Sequence, residues 1–293
     1  MERFVQVIVD GWATGSLYAA LAIAVVLIYR STGIVNFAQG EFAMFSTFVA
    51  WGLLQAGFSL GLALLATLAL SFVGGMLIER VLIRPVEGGE VLTLVILTLG
   101  LYILVNSGAG WIWGFGNRSF PGLFGDGAAD VAGVNIPVES LGIVAVLLAL
   151  VGVLFVGFRR TKIGLAMRAV AMNPDSSRLV GISVGRTLMI GWGIAALVGA
   201  LAGALIAPRL FLDVNFMGSV LIYSFAAATL GGFDSPFGAV LGGWIIGIAE
   251  GLAGTYVDFI GSDLKILVPL LTILLVLLFR PTGLFGSAEV ARA

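Results

Sequence analysis

The sequence contains no cysteine and no histidine among its 293 residues, and only 11% of the residues are charged. Without cysteine there is no disulfide, and without either residue there is no Cys/His metal site and no Ser-His or Cys-His nucleophile. Soluble domains carry roughly 25% charged residues. The composition therefore excludes an ordinary soluble domain, a disordered chain and a nucleic-acid-binding protein, and we expect no catalytic residue, no metal site and no cofactor.

Apolar residues dominate what is present. They make up 60% of the chain, and the 42 glycines lie inside apolar runs rather than in a collagen-like period. Small residues in apolar segments are typical of packed membrane helices, because they let two helix backbones approach closely. Glu2 and Asp10 interrupt the first apolar run, so we expect this run to be a retained span rather than a cleaved signal.

Nine segments approach the roughly 20 apolar residues that a helix needs to cross a bilayer. The predicted fold is therefore all-α, a polytopic membrane protein that forms a single transmembrane domain over residues 1–293. The seventh segment is short, so it either spans the membrane or is re-entrant, which would leave eight spans. The nine segments are 8–29, 34–56, 58–78, 91–113, 138–158, 187–208, 217–233, 236–255 and 264–280.

The basic residues predict an orientation. The loop 159–186 contains six Lys or Arg residues against a single acid, Asp175, and such loops stay in the cytoplasm. With nine spans, eleven of the 15 basic residues fall on the cytoplasmic side, the N-terminus is periplasmic and the C-terminus is cytoplasmic. If the seventh segment were re-entrant, nine basic residues would lie on the cytoplasmic side and six on the other side.

Short sequence matches recur at nearly one offset, which predicts an internal repeat. Because the halves 8–113 and 187–280 begin on opposite sides of the membrane, the repeat would be inverted, as in many transporters. The alternative is chance similarity in a chain rich in Gly, Ala and Val. The matches are Val-Asn-Phe at 35–37 and 214–216, Arg30 with Arg209, and Gly11-Trp12 with Gly191-Trp192, separated by 179, 179 and 180 positions.

The basic loop contains the signals of a short exposed helix over 174–180. Asn173 is a good N-cap, Pro174 suits the first helical position, Asp175 complements the positive helix start, and Gly181 suits the stop. The helix would present Leu179 to the cytoplasm. It is either a docking element for a cytoplasmic partner or a surface helix that a basic loop happens to contain.

Polar residues at the start of the second and seventh spans are candidates for a solute path. Ionisable residues inside spans are functional by default, and Glu41 lies one to two turns into the second span. The candidate path residues are Asn36, Gln39, Glu41 and Asn215. The alternative is that Asn36 and Asn215 simply cap helices and that Glu41 is solvated near an interface.

Four motifs in order resemble one family. The pattern G-x-A-x-R-A-x-x-x-N-P-x-x-x-x-L-x-G-I runs over 164–182, and the others are STGIVNFAQGEFAMFSTFVAW (31–51), LGGFDSPFGAVLGGWIIGIAE (230–250) and LFRPTGLFG (278–286). Together they resemble the permease subunits of branched-chain (hydrophobic) amino acid ABC importers, the Liv type. Ser176-Ser177 and Gln39 depart from the pattern, since relatives carry alanine and histidine near these positions.

The resemblance implies a translocation subunit in a bacterial inner membrane, without catalysis of its own. It implies a second homologous permease chain, identical or different, two ATPase subunits that hydrolyse ATP, and a periplasmic solute-binding protein. The chain has no G-x-x-x-x-G-K-[ST] loop, so nucleotide energy must come from another chain. The residues implied for ATPase coupling are Arg168, Asn173, Pro174, Asp175, Arg178, Leu179 and Gly181.

The resemblance leaves the solute open. The implied cargo is a branched-chain or hydrophobic amino acid, and the alternatives are urea, a short amide or a small carboxylate carried by the same type of permease. An ion-coupled secondary transporter is a further alternative that an inverted repeat allows. An intramembrane enzyme would need converging acid, base or metal ligands, which the scattered acids do not supply.

Overall fold

Eleven α-helices and one β-hairpin are formed in the computed structural model, which describes residues 2–125, 127–131, 133–261 and 263–286. The strands β1 (Ala128–Val131) and β2 (Val134–Pro137) are antiparallel, with Val131 opposite Val134. The helices are α1 (Glu2–Thr32), α2 (Gln39–Gln55), α3 (Leu60–Ile78), α4 (Val91–Trp113), α5 (Val138–Arg160), α6 (Lys162–Met172), α7 (Pro174–Leu179), α8 (Val184–Ile206), α9 (Phe216–Gly231), α10 (Pro236–Tyr256) and α11 (Leu267–Phe279).

The predicted all-α membrane architecture is confirmed. Each of the nine predicted spans overlaps a helix, and six helices among the described residues are long and apolar enough to cross a membrane: α1, α3 with its continuation to Val86, α4, α5, α8 and α10. The helices α2, α9 and α11 have 17, 16 and 13 residues. At 1.5 Å per residue α9 is about 24 Å long, less than the roughly 30 Å hydrocarbon thickness. The count of nine, and a crossing by 217–233, therefore stay predictions.

Two local elements were not predicted. The hairpin β1–β2 lies in the connection 114–137, where Gln6 of α1 donates from Nε2 to the Asn135 carbonyl at 2.8 Å and accepts from the Asn135 N–H at 3.0 Å. The helix α6 precedes α7 in the basic loop. The Thr161 hydroxyl caps α6 by accepting from the Gly164 N–H at 3.0 Å.

The chain divides into two compact units. The first unit contains the described residues of 1–26, 124–148 and 219–293, and the second contains 27–123 and 149–218. The first unit thus combines most of α1 with α9, α10 and α11, and the second combines α8 with α2, α3 and α4.

Glycine contacts hold the first unit together. A Cβ on Gly15 of α1 would lie 2.8 Å from the Trp244 Cα, and a Cβ on Gly243 of α10 would lie 2.7 Å from the Ala19 Cβ. No larger residue fits without displacing a backbone, so α1 and α10 pack at the closest separation that helices allow. The indole Nε1 of Trp244 donates to the Ser16 hydroxyl at 2.9 Å across the same contact.

The second unit is built in the same way around α8. A Cβ on Gly75 of α3 would lie 2.6 Å from the Trp192 carbonyl oxygen, and a Cβ on Gly203 of α8 would lie 2.7 Å from the Ala43 carbonyl oxygen of α2. The helix α2 is buried along most of its length. Its 17 residues therefore form an interior helix of this unit.

The helices of the two units can be compared with those of the predicted repeat. In that repeat α1 corresponds to α8, and α2–α4 correspond to α9–α11. Each unit contains the first helix of one half and the three following helices of the other. An inverted repeat that exchanged its first helices would give this division, although the halves 8–113 and 187–280 themselves stay a prediction.

The α1–α10 contact can be tested by adding one methyl group. Gly243→Ala should destabilise the protein in detergent by about 1–3 kcal/mol, because the new Cβ overlaps the Ala19 Cβ and the Gly15 carbonyl. The matched control is Gly100→Ala on α4, where no atom lies within 4 Å of the added Cβ. Thermal unfolding of the two variants checks this, and equal transitions would contradict the packing described.

Candidate functional site

A buried carboxylate lies at the start of α2, within the second unit. Glu41 is 1% exposed. The amide Nδ2 of Asn106, on α4, donates to its Oε2 at 3.1 Å and also lies 2.8 Å from the Val214 carbonyl oxygen and 3.5 Å from the Asn215 Oδ1. One amide group thus connects α2, α4 and the segment that leads into α9.

A second polar network lies beside the first. Asn36 and Gln39 are both fully buried. The Asn36 Nδ2 donates to the Gln39 Oε1 at 3.2 Å, and the Gln39 Nε2 donates to the Ala195 carbonyl of α8 at 3.1 Å. Gln39 therefore fixes the start of α2 against α8.

The alternative interpretation of these residues as simple caps is wrong for Asn36. The N-cap of α2 is Ala38, which makes no side-chain capping bond. The Asn36 Oδ1 instead accepts from the Ala38 N–H at 3.0 Å, two residues ahead, which is the hydrogen bond of an Asx turn. The turn therefore precedes α2, and the Asn36 side chain accepts no hydrogen bond from the first turn of the helix.

The structure thus brings Glu41 and Asn215 together through Asn106 and pairs Asn36 with Gln39. Asn106 was missed as a candidate. Its signal was available, because it is a lone amide in the apolar segment 91–113, and polar residues there need partners. The alternative that Glu41 is a solvated interface residue does not agree with its 1% exposure.

An apolar cavity of about 390 Å³ lies between α2 and α3 in the second unit. Phe42 and Val105, the neighbours in sequence of Glu41 and Asn106, both contribute to its lining, as do residues of α3 and α8. Its polar groups include Ser46 and Ser71, whose hydroxyl oxygens are 2.8 Å apart. A cavity of this size and character suits a small ligand with an apolar group.

The exposed helix of the basic loop forms as predicted, one residue shorter. α7 begins at Pro174, and the Asn173 side chain caps it by accepting from the Ser176 N–H at 2.8 Å. It ends at Leu179 rather than at 180, and Gly181 has φ +84°. Arg178 forms an ion pair with Asp175 at 3.0 Å.

α7 presents an exposed apolar side chain next to a buried apolar cluster formed by α6 and α8. Leu179 is 89% exposed. Behind it, Ile182 packs against a small core of Val170, Val184 and Leu188, which joins α6 to α8. The exposed end of α7 is thus held by both neighbouring helices of the loop.

The end of α3 reaches the same region. The Arg84 guanidinium donates to Glu79 at 2.7 Å and to the Gly185 carbonyl at 2.6 Å, where α8 begins. Partial burial, and then the nearby Glu79, raise the pKa of the Glu87 carboxyl above its usual value, while Arg84 and Arg178 oppose that shift. Residues 80–90 therefore lie within electrostatic reach of α7.

Arg168, the remaining predicted coupling residue, lies on α6. It lines a small cavity with Arg30 and Ser31. Among the described residues there is no group of three or more Asp, Glu, His or Cys side chains placed to hold a metal ion.

Comparison with known proteins identifies the class. Residues 7–277 match the family described as "Branched-chain amino acid transport system / permease component". The chain is 31% identical to the high-affinity branched-chain amino acid transport system permease protein BraD of Pseudomonas aeruginosa, over 99% of this chain and 98% of that one. It is also 31% identical to LivH of Escherichia coli K12, over 99% and 97%.

The fold has a counterpart among solved structures. It is similar to PsaBC from Streptococcus pneumoniae in complex with Fab, with a TM-score of 0.50 and 14% identity, over 95% of this chain and 92% of that one. The chain is therefore a membrane permease component. It belongs to the branched-chain amino acid transport permease family, and the resemblance found in its four motifs is confirmed.

The buried carboxylate can be tested without breaking its hydrogen bond. Glu41→Gln keeps an oxygen that accepts from Asn106 and removes the negative charge, whereas Glu41→Ala removes both. If the charge contacts the solute path, both variants should lower uptake at least tenfold, while the purified chain stays intact. If Glu41 is only structural, the Gln variant should keep normal uptake and the Ala variant should lose thermal stability, by about 0.5–1.5 kcal/mol for the lost hydrogen bond from Asn106.

Proposed function

We propose that this chain is the permease subunit of an ATP-driven importer for branched-chain and other hydrophobic amino acids. The observation that carries the proposal is similarity over nearly the whole length of two proteins named as branched-chain amino acid permeases. The polar cluster around Glu41 and the apolar cavity between α2 and α3 support it, because such a solute combines charged groups with an apolar side chain. Asn36, Gln39 and Asn215 are proposed to complete this part of the path.

The proposed complex contains a second homologous permease, two ATPase subunits that hydrolyse the ATP, and a periplasmic binding protein. This chain has two lysines, Lys162 and Lys265, and neither follows a phosphate-binding loop. Work must therefore reach it mechanically. We assign this role to α7 and its flanks, with Leu179 as the apolar contact and Arg168 and Arg178 as charge-assisted ones. The base formed by α6, α8 and the end of α3 would transmit the movement.

The coupling assignment has a direct test. A tagged wild-type chain should co-purify with ATPase subunits, and Leu179→Asp should reduce that recovery at least tenfold, because a carboxylate replaces the exposed apolar side chain. Asn173→Ala should have a weaker effect, since losing the cap costs about 0.5–2 kcal/mol of local helix stability.

The matched control for the coupling test is Leu62→Asn on α3. Leu62 is also exposed, at 59%, but it lies on a predicted span, away from the loop. Normal ATPase recovery by both α7 variants, with solute-stimulated hydrolysis intact, would move the docking site elsewhere.

The proposed orientation places 159–186 on the cytoplasmic side of a bacterial inner membrane and the N-terminus on the periplasmic side. The native chain has no cysteine, so any labelling of a single-cysteine variant of the chain comes from the introduced thiol. In intact cells an impermeant thiol reagent should label Ser119→Cys, in the connection after α4, and should not label Ser176→Cys on α7. Both residues are exposed, so each should react after the cells are opened. The reverse pattern in intact cells would overturn the orientation.

A further inference from the structure

A charged pocket in the first unit has no role in the account given so far. It encloses about 230 Å³ between α1, α10 and the segment before α11. Its charged lining residues are Asp10, Glu250 and Lys265, and Thr14 and Thr255 add hydroxyl groups. Asp10 and Glu250 lie within predicted spans, where ionisable side chains mark pathways more often than packing sites.

Both signs of charge are held in position. The Tyr18 hydroxyl donates to the Glu250 Oε2 at 2.8 Å, and Tyr223 stacks on Tyr18 with ring centroids 4.6 Å apart. Lys265 lines the same pocket as Glu250, so its positive charge attracts the carboxylate. A carboxylate accepts about four hydrogen bonds, so the bond from Tyr18 leaves Glu250 with acceptor capacity toward the pocket.

Asp10 and Lys265 are also supported by their neighbours. The Gln6 Nε2 donates to both Asp10 carboxylate oxygens, at 3.1 and 3.2 Å, while the hairpin residue Asn135 holds Gln6 in place. The aliphatic part of Lys265 lies against Gly254, at a point where any Cβ would overlap the Lys265 Cε. Glycine at this position leaves room for the lysine to reach the pocket.

Helix packing alone does not require these charges. The α1–α10 contact is already closed by glycines, with a Cβ on Gly11 lying 2.7 Å from the Ile248 Cα. In the second unit, α3 and α8 also meet at glycines. That contact is filled by apolar side chains, including Phe72, Met76 and Ala196. The packing of α1 against α10 therefore does not depend on the charged side chains of the pocket.

We propose that the head group of the transported amino acid binds in this pocket, with its ammonium against Glu250 and Asp10 and its carboxylate against Lys265. The inference rests on the proposed function and assigns a place in this chain to the two charged groups of that solute, a zwitterionic α-amino acid. Such a solute has no net charge but cannot shed the hydration of its two charged groups unless both are paired. A site with anchored charges of both signs supplies that pairing, while the hydroxyls of Thr14 and Thr255 offer further hydrogen bonds.

The alternative is that the attraction between Glu250 and Lys265 only braces α10 against the segment before α11. A double-mutant cycle in the reconstituted complete importer separates the two. With a solute site, Glu250→Gln and Lys265→Met should each lower uptake of a branched-chain amino acid roughly ten- to a hundredfold, and the double variant should be no better than either. Lys265→Arg should keep most of the uptake.

Each matched control removes one charge of the same sign at a residue that does not line the pocket. Glu2→Gln and Arg3→Met lie on the same helix as Asp10, and neither residue lines the pocket. Both should leave uptake unchanged. Recovery of uptake in the double variant, or normal uptake in both single variants, would overturn the inference. A wild-type importer that takes up no amino acid would instead overturn the proposed function, and this inference with it.

A second measurement remains informative if the charge variants assemble poorly. In the otherwise native chain, Thr14→Cys places a single thiol in the pocket. Its reaction with a small charged thiol reagent should slow at least twofold when the importer turns over with leucine, while Ser119→Cys should react at an unchanged rate. Equal rates for Thr14→Cys with and without leucine would contradict occupancy of the pocket.

Discussion

The close approach of helix backbones at glycine is the constraint on which the rest of this structure depends. In lipid, helices gain little by burying apolar side chains against each other, so packing and interhelical hydrogen bonds hold them together. At Gly15 and Gly243 in the first unit, and at Gly75 and Gly203 in the second, the neighbouring backbone occupies the space of a side chain. These contacts bring side-chain amides and hydroxyls within bonding range of the adjacent helix, as the Trp244 bond to Ser16 and the Gln39 bond to Ala195 show.

The apolar helices differ widely in how much of their length is buried. The most apolar stretch of α1 is 89% buried and that of α8 is 72% buried, whereas the values for α4 and α5 are 17% and 11%. A helix that is apolar all round and exposed suits lipid or another membrane chain. The charged and amide groups are correspondingly placed on the interior side: Glu41 on buried α2, and Glu250 where α10 meets α1. The proposed solute contacts in each unit use such groups, because a charged solute needs side chains that can pair with its charges.

Local signals in the sequence predicted local structure well. The cap at Asn173, the stop at Gly181 and the helix between them depend on residues within one or two turns of each other. Each predicted span also overlaps a helix. The helix α6 was missed because its basic flanks resemble an exposed loop, although the Thr161 cap precedes it. The hairpin β1–β2 depends on a Gln6 contact that no local pattern indicates.

The candidate sites were only partly predictable for the same reason. Glu41 and Asn215 were identified as polar residues in apolar surroundings, but their connection through Asn106 joins residues 65 and 109 positions apart. Apolar periodicity normally tells which face of a helix is buried. Here the spans are apolar on every side, so the sequence does not specify which helices meet. The pairing of Glu250 with Tyr18, across 232 positions, needed the three-dimensional structure for the same reason.

The claim that the chain is an ATP-driven permease, rather than an ion-coupled transporter, is tested most directly by the energy source of uptake. The chain would be reconstituted into vesicles with its partner permease and ATPase subunits, with the binding protein and a branched-chain amino acid outside and ATP sealed inside. The account predicts uptake that requires both ATP and the binding protein and that persists when ionophores abolish the proton and sodium gradients. Uptake by this chain without ATPase subunits, driven by an ion gradient and abolished by the ionophores, would contradict it.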